Sequence, residues 1–217
     1  GGASAYRSAV FQTANGDVIG TSGNDTISGS SGSNQLVGGA GDDLITGNGG
    51  ADVMYGGAGN DTFVLNADNV AKLARNSGNT AQDVARIDGG HGFDTIKLDG
   101  AGISLDLTAV RNDVVSQVEN IDISGSGANT VKLSLTDVLD LGDNNSFDVN
   151  PSATDVRKQL MISGDADDKV VLSDLANWSA NSTFVDHGHT YQVYNHNTSS
   201  AQLLIDQLIQ SNNITAS

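Results

Sequence analysis

Between Val18 and Phe63 the chain keeps a strict period of nine. Gly20, Gly29, Gly38, Gly47 and Gly56 form one glycine column, and Gly23, Gly32, Gly41, Gly50 and Gly59 form a second. A polar column follows (Asp25, Asn34, Asp43, Asp52, Asp61), interleaved with an apolar one (Val18, Ile27, Leu36, Ile45, Met54, Phe63). With 27 glycines in 217 residues, two nine-spaced columns are no accident of composition. A fixed period of this kind dictates repeated units that stack on one another. The units GGAGDDLIT (38–46) and GGAGNDTFV (56–64) fit GGxGxDxUx completely, U being a large apolar residue. A third complete unit, GGHGFDTIK (89–97), returns after an interruption.

The first six residues of a unit make a turn whose glycines tolerate left-handed backbone angles. The last three make a short strand whose middle residue points inward. Two units give one coil of eighteen residues, so alternate turns stack on the same edge. Turns starting at Gly20, Gly38 and Gly56 share one edge and carry Asp at the sixth place. Those starting at Gly29 and Gly47 share the other, where Asn34 replaces one Asp and GNGG disturbs the spacing. Turn carbonyls plus one carboxylate per turn are hard oxygen donors, of which Ca2+ takes six to eight. The spacing therefore predicts one well-formed row of ions and one weaker row.

In these repeats the chain resembles the RTX (repeats-in-toxin) family of bacterial secreted proteins, whose repeats form a calcium-filled parallel β-roll. The resemblance implies an all-β fold: a right-handed parallel β-roll or β-solenoid with Ca2+-binding turns and one or two short helices. It implies ligand carbonyls from the second and fourth places of one turn and the first and third places of the next, with both Asp residues. One ion would then use Thr21, Gly23, Asp25, Gly38, Ala40 and Asp43. The next would use Gly39, Gly41, Asp43, Gly56, Ala58 and Asp61, and a further one Gly57, Gly59, Asp61, Gly89, His91 and Asp94. On the far edge Ser30, Gly32, Asn34, Gly47, Gly49 and Asp52 would hold a weaker ion. Thr21 and Ser30 stand where the family has Gly, which matters little where only their carbonyls bind. Asn34 keeps an oxygen and loses the charge.

Beyond residue 98 the strict nine is lost, but short alternating strands continue at 103–107, 119–124, 129–135, 159–164 and 169–175. They are expected to extend the same solenoid with wider coils, with helices in the interruption at 66–86 and at 135–141. The expected organisation is a roll over 1–98, wider coils over 99–200 and a terminal segment over 201–217. The stretches VENIDISGSGANTVKLSLTDVLDL (118–141), MISGDADDKVVL (161–172) and YQVYNHNTSSAQLLID (191–206), with Trp178, resemble the C-terminal region of giant RTX adhesins of biofilm-forming bacteria. That resemblance covers roughly 85–206. It implies a calcium-dependent folding and type I secretion module, the end of the chain from Ala201 being a secretion signal read by an ABC-transporter complex. It places the protein outside the cell or on its surface. Two other classes stay open at this point: the C-terminal roll of a secreted hydrolase or toxin, and a directly ligand-binding adhesive module.

Composition agrees. A net charge of −16 and a pI near 4.1 argue against nucleic-acid binding, which needs Lys and Arg against phosphate. No stretch is apolar enough for membrane insertion. With no cysteine, metal ions take over the stapling role of disulfides. The segment is expected to be monomeric as a fragment of a larger chain. No catalytic residues are assigned: HExxH, GxSxG and a Cys nucleophile are all missing. His187 and His189 could share a strand face, but a zinc site needs a third ligand.

Overall fold

In the computed structural model, which describes residues 10–74, 84–149 and 156–217, the apolar column becomes two stacks of inward side chains. Val18, Leu36, Met54, Ile87 and Val115 pair in register in one parallel ladder. Ile27, Ile45, Phe63, Ile96, Ile121, Ile162 and Ile205 pair in a second. None of these twelve side chains is more than 3% exposed. Their neighbours along each strand point outward, because successive Cβ atoms alternate across a sheet. Burying each one stabilises the fold by about 1.5–3 kcal/mol.

The first ladder belongs to a six-stranded sheet. It is formed by Phe11–Gln12, Val18–Ile19, Gln35–Ala40, Val53–Ala58, Arg86–His91 and Val115–Ser116, antiparallel only at its first pair. The second begins with Thr26–Ser28, Leu44–Thr46, Thr62–Leu65 and Thr95–Leu98 and continues through Asn120–Asp122, Lys158–Ser163 and Ala201–Asp206. The chain alternates between the two sheets, so each passage through both is one coil of a parallel β-roll. Helix α1 (Ala67–Ala74) occupies the interruption, capped by Asn66, whose side-chain oxygen accepts from the Asp68 and Asn69 amides at 3.0 and 3.1 Å. The remainder of that interruption, 75–83, lies outside the described residues, as does the first part, 1–9, of the lead-in strand or coil expected over 1–17. The interruption adds length without shifting register: Gly57 pairs with Gly90 and Ala58 with His91.

After Leu98 each coil gains a strand. Ser104–Asp106, Thr130–Leu133, Lys169–Leu172 and Ile214–Ala216 form a third, all-parallel sheet in which Leu105, Val131, Val170 and Ile214 stack. Helix α2 (Leu135–Leu141) starts at a reciprocal Ser134/Asp137 capping box and buries Val138 and Leu141. One continuous hydrophobic cluster runs from Val18 to Ile209, so the roll and the wider coils share a core.

One expectation needs amending. The last coils are not parallel throughout, since Trp178–Asp186 and His189–His196 form an antiparallel hairpin, and the latter pairs antiparallel with Ala201–Asp206. His187 and Gly188, both with positive φ (45° and 88°), make the two-residue link. So short a link permits only an antiparallel return. Among the described residues no helix is long and apolar enough to cross a membrane.

Candidate metal centre

The sixth-place carboxylates line up along one edge of the roll, each accepting from the backbone amide of its counterpart one coil earlier. Asp43 Oδ1 accepts from Asp25 N at 2.8 Å, Asp61 Oδ1 from Asp43 N at 2.8 Å, and Asp94 Oδ1 from Asp61 N at 2.7 Å. Glu119 Oε2 ends the column by accepting from Asp94 N at 2.9 Å. These bonds use one oxygen of each Asp. The other, Oδ2 of Asp43, Asp61 and Asp94, is buried with no hydrogen-bond partner. Leaving a buried carboxylate oxygen unpaired costs several kcal/mol, so such atoms are rare and call for an explanation.

The surrounding turns supply more oxygens. A Cβ added to Gly57 (φ +121°) would lie 2.0 Å from the Gly39 carbonyl oxygen, so only glycine fits beneath that carbonyl. Second-place and fourth-place carbonyls thus aim forward at the next coil: Thr21 at Gly39, Gly57 at Gly90, Gly41 at Gly59 and Gly59 at Gly92. First-place carbonyls aim back: Gly38 at Gly20, Gly56 at Gly38 and Gly89 at Gly56. Third-place carbonyls face the same gap, with Ala58 O accepting from Gly41 N at 2.7 Å and His91 O from Gly59 N at 2.8 Å. Each of these carbonyls keeps a second lone pair. On this edge the structure brings the residues expected from the sequence into shared gaps between coils. Asp25 differs in detail: its Oδ2 already accepts from Thr21 N and Thr21 Oγ1, at 2.5 and 2.9 Å.

Burial without a counter-charge shows in the acidities. Desolvation pushes the carboxyl of Asp43 upward, that of Asp61 to about 6 and that of Asp94 to about 7, with neighbouring carboxylates adding to the rise. Burial likewise raises Glu119 to about 7. A divalent cation in the gaps would reverse that logic. Among the described residues no three His, Cys, Asp or Glu side chains converge as a ready-made ligand group, so a cation here would draw largely on backbone carbonyls. That donor set fits Ca2+, a hard ion served well by carbonyl and carboxylate oxygen.

The opposite edge is built differently. Asp52 Oδ1 accepts from Asn34 N at 2.8 Å, but its Oδ2 accepts from Asn69 Nδ2 at 2.9 Å. Asn69, in the first turn of α1, also accepts from Gly49 N at 3.0 Å, while Asp68 accepts from Gly50 N at 2.7 Å. Asn34 Oδ1 is taken by Ser30 N and Ser30 Oγ, at 2.6 and 3.0 Å. Ser30, Gly32, Asn34, Gly47, Gly49 and Asp52 lie in stacked turns, yet backbone amides and side chains already satisfy the Asp52 and Asn34 oxygens.

Sequence reasoning missed Glu119 and Asn69. A signal for Glu119 existed: Glu119-Asn120-Ile121-Asp122 keeps the D-x-U-x half of the repeat with Glu for Asp. The same half-motif recurs at Asn129-Thr130-Val131 and Asp168-Lys169-Val170, where Asn129 Oδ1 accepts from Ile103 N and Asp168 Oδ1 from Asn129 N. There the second Asp168 oxygen accepts from Asp165 N at 2.7 Å, and no orphan remains. His187 and His189 diverge: each contacts its own carboxylate, Asp186 and Asp206.

A family model described as the RTX calcium-binding nonapeptide repeat (4 copies) matches residues 14–45 and 28–63. The nonapeptides of this chain are RTX repeats. RTX repeats bind several calcium ions, so calcium is the cofactor of these repeats. The parallel β-roll follows from these RTX repeats and the strand register together. No curated protein sequence matches the chain. Among solved structures it is similar to the AlgE6R3 subunit from the Azotobacter vinelandii mannuronan C5-epimerase, at 18% identity and a TM-score of 0.26, over 96% of this chain and 84% of that one. It is also similar to the extracellular lipase LipA from Serratia marcescens, at 18% identity and a TM-score of 0.29, over 90% of this chain but only 39% of the lipase.

Proposed function

We propose that this chain is a calcium-dependent folding and export module near the C-terminus of a large secreted RTX adhesin. The observation that carries the calcium part is the line of buried, partnerless Oδ2 atoms on Asp43, Asp61 and Asp94. One ion is assigned to Thr21, Gly23, Asp25, Gly38, Ala40 and Asp43, and a second to Gly39, Gly41, Asp43, Gly56, Ala58 and Asp61. A third is assigned to Gly57, Gly59, Asp61, Gly89, His91 and Asp94. The far edge holds at most one weakly bound ion, at Ser30, Gly32, Asn34, Gly47, Gly49 and Asp52, because Asn69 stands on the Asp52 carboxylate.

Without calcium a net charge of −16 and glycine-rich turns oppose compaction. Cytosolic calcium is scarce, so the chain stays extended there and can thread a type I ABC-transporter complex. Outside, extracellular calcium modules with Kd of about 10⁻⁴–10⁻³ M fill at ambient calcium. Ion binding then supplies folding free energy, and a folded segment cannot slide back. Buried strand Ala201–Asp206 fits a secretion signal only if the transporter reads it before folding. The adhesin assignment rests on the resemblance over 85–206, and the full-length gene distinguishes it from a secreted hydrolase or toxin. The calcium reading is tested by circular dichroism with and without chelator: the far-ultraviolet signal must develop with added calcium and vanish on chelation. A chain fully ordered after exhaustive chelation overturns it.

A further inference from the structure

The column of carboxylates does not stop where the nonapeptides stop. Its last member, Glu119, lies on a bend, 117–119, that carries no glycine and is three residues shorter than the turn 89–94 beneath it. The bend nevertheless reproduces two features of a repeat turn. Glu119 accepts from Asp94 N at 2.9 Å, as each Asp accepts from its predecessor. The Gln117 carbonyl oxygen would lie 1.8 Å from a Cβ on Gly89, the place that first-place carbonyls occupy in the turns below. To aim that carbonyl, Gln117 adopts φ +52°, a left-handed conformation that a residue with a side chain rarely takes. Glu, one methylene longer than Asp, restores the reach that the shortened bend removes.

Asp94 Oδ2 faces this gap. It would lie 2.5 Å from the same Gly89 Cβ, it has no hydrogen-bond partner, and Asp94 is fully buried. Among the described residues no cation is bonded to it. The lysine of this region, Lys158, directs its ammonium to the Gly142 carbonyl at 3.0 Å and lies 4.0 Å from Asp143. Two buried carboxylates and a directed carbonyl therefore meet with only Lys158, engaged elsewhere, as a nearby positive charge, an arrangement that either protonation or a cation must relieve.

We propose an additional Ca2+ site between the last glycine turn and the bend 117–119, with Asp94, Glu119 and the Gln117 carbonyl as its protein donors. By continuation of the pattern, Gly90 and Gly92 contribute forward-aimed carbonyls, and water completes a shell of six to eight oxygens. This ion joins the glycine-rich roll to the first of the wider coils, so the two halves of the molecule share it. The proposal rests on the calcium row proposed above, with Asp94 serving two ions as Asp43 does.

Crystals of the 217-residue chain grown in calcium, with anomalous peaks located, test it directly. A peak between Asp94 and Glu119, in addition to those beside Asp43 and Asp61, is the expected result. Peaks beside Asp43 and Asp61 with none at Glu119 overturn this site alone, whereas no peak anywhere on the edge overturns the row itself. In solution, Glu119→Gln keeps the acceptor for Asp94 N and removes the charge. Calorimetric titration of that variant is expected to show one calcium fewer than wild type, and an unchanged stoichiometry overturns the site. Should Glu119→Gln fail to fold, the wild-type anomalous map still decides.

Discussion

At the residue scale, the two edges of the roll differ in what answers a buried carboxylate. Asp43 is assigned to two ions, while Asn34 is already satisfied by Ser30. Asp43→Ala is expected to raise the midpoint of a calcium titration about tenfold, the equivalent of roughly 1.4 kcal/mol. Asn34→Ala should shift it little, and equal midpoints would contradict the edge assignment. Acidity gives a second expectation. Asp61 at about 6, with Asp94 and Glu119 at about 7, sit above the value of about 4 for an unfolded carboxyl. The metal-free folded state thus binds more protons than the unfolded one, and its stability falls as pH rises from about 4 to 7. In chelator, acidification from pH 8 to 5 should increase ordered structure by circular dichroism. In calcium the apparent affinity should weaken over the same range, because protons compete for the same oxygens. Asp43 and its neighbours were legible in the sequence because glycine spacing marks them. Glu119 was not, because the glycine half of its motif is gone and only the residue-x-apolar half survives.

At the level of elements, helix α1 is what distinguishes the far edge. It was foreseeable as a helix from the spacing of Val70 and Leu73, but not as a plug, since nothing local shows where a helix will dock. Asn69 spans Gly49 N, Gly50 O and Asp52 Oδ2, three groups that lie 17 to 20 residues away along the chain. Asn69→Ala leaves the Asp52 oxygen buried and unpaired, which costs about 1–3 kcal/mol. Urea unfolding in saturating calcium should report that loss, and an unchanged midpoint would mean the plug contributes nothing. The hairpin at 178–196 was missed for a related reason. The sequence places His187 and His189 on one strand face, whereas the positive φ angles of His187 and Gly188 make that pair a turn.

Across the whole molecule, stacked isoleucines and valines run from the first repeat to the last coil, so roll and wide coils fold on one core. Outside the hairpin at 178–196 the parallel fold class was legible, because strand alternation persists after the nonapeptide spacing ends. The C-terminal stretch occupies two sheets, pairing Ala201–Asp206 with Lys158–Ser163 and Ile214–Ala216 with Lys169–Leu172. Deleting 201–217 should abolish amide-exchange protection at 158–172 while leaving that of 35–65 in calcium largely intact. Protection unchanged in both regions would show the terminus to be dispensable for folding. An export assay on the signal is therefore best made with substitutions at exposed Gln207 and Leu208.

A ladder of parallel coils is also a template that any second copy of the chain could lengthen. The outermost strand of the long sheet, Trp178–Asp186, runs with the coils again after two antiparallel pairings, but it slips register between Ala180 and Thr183. A newcomer arriving there meets an interrupted row of amides. At that end the irregular edge makes the molecule a poor seed for a fibre.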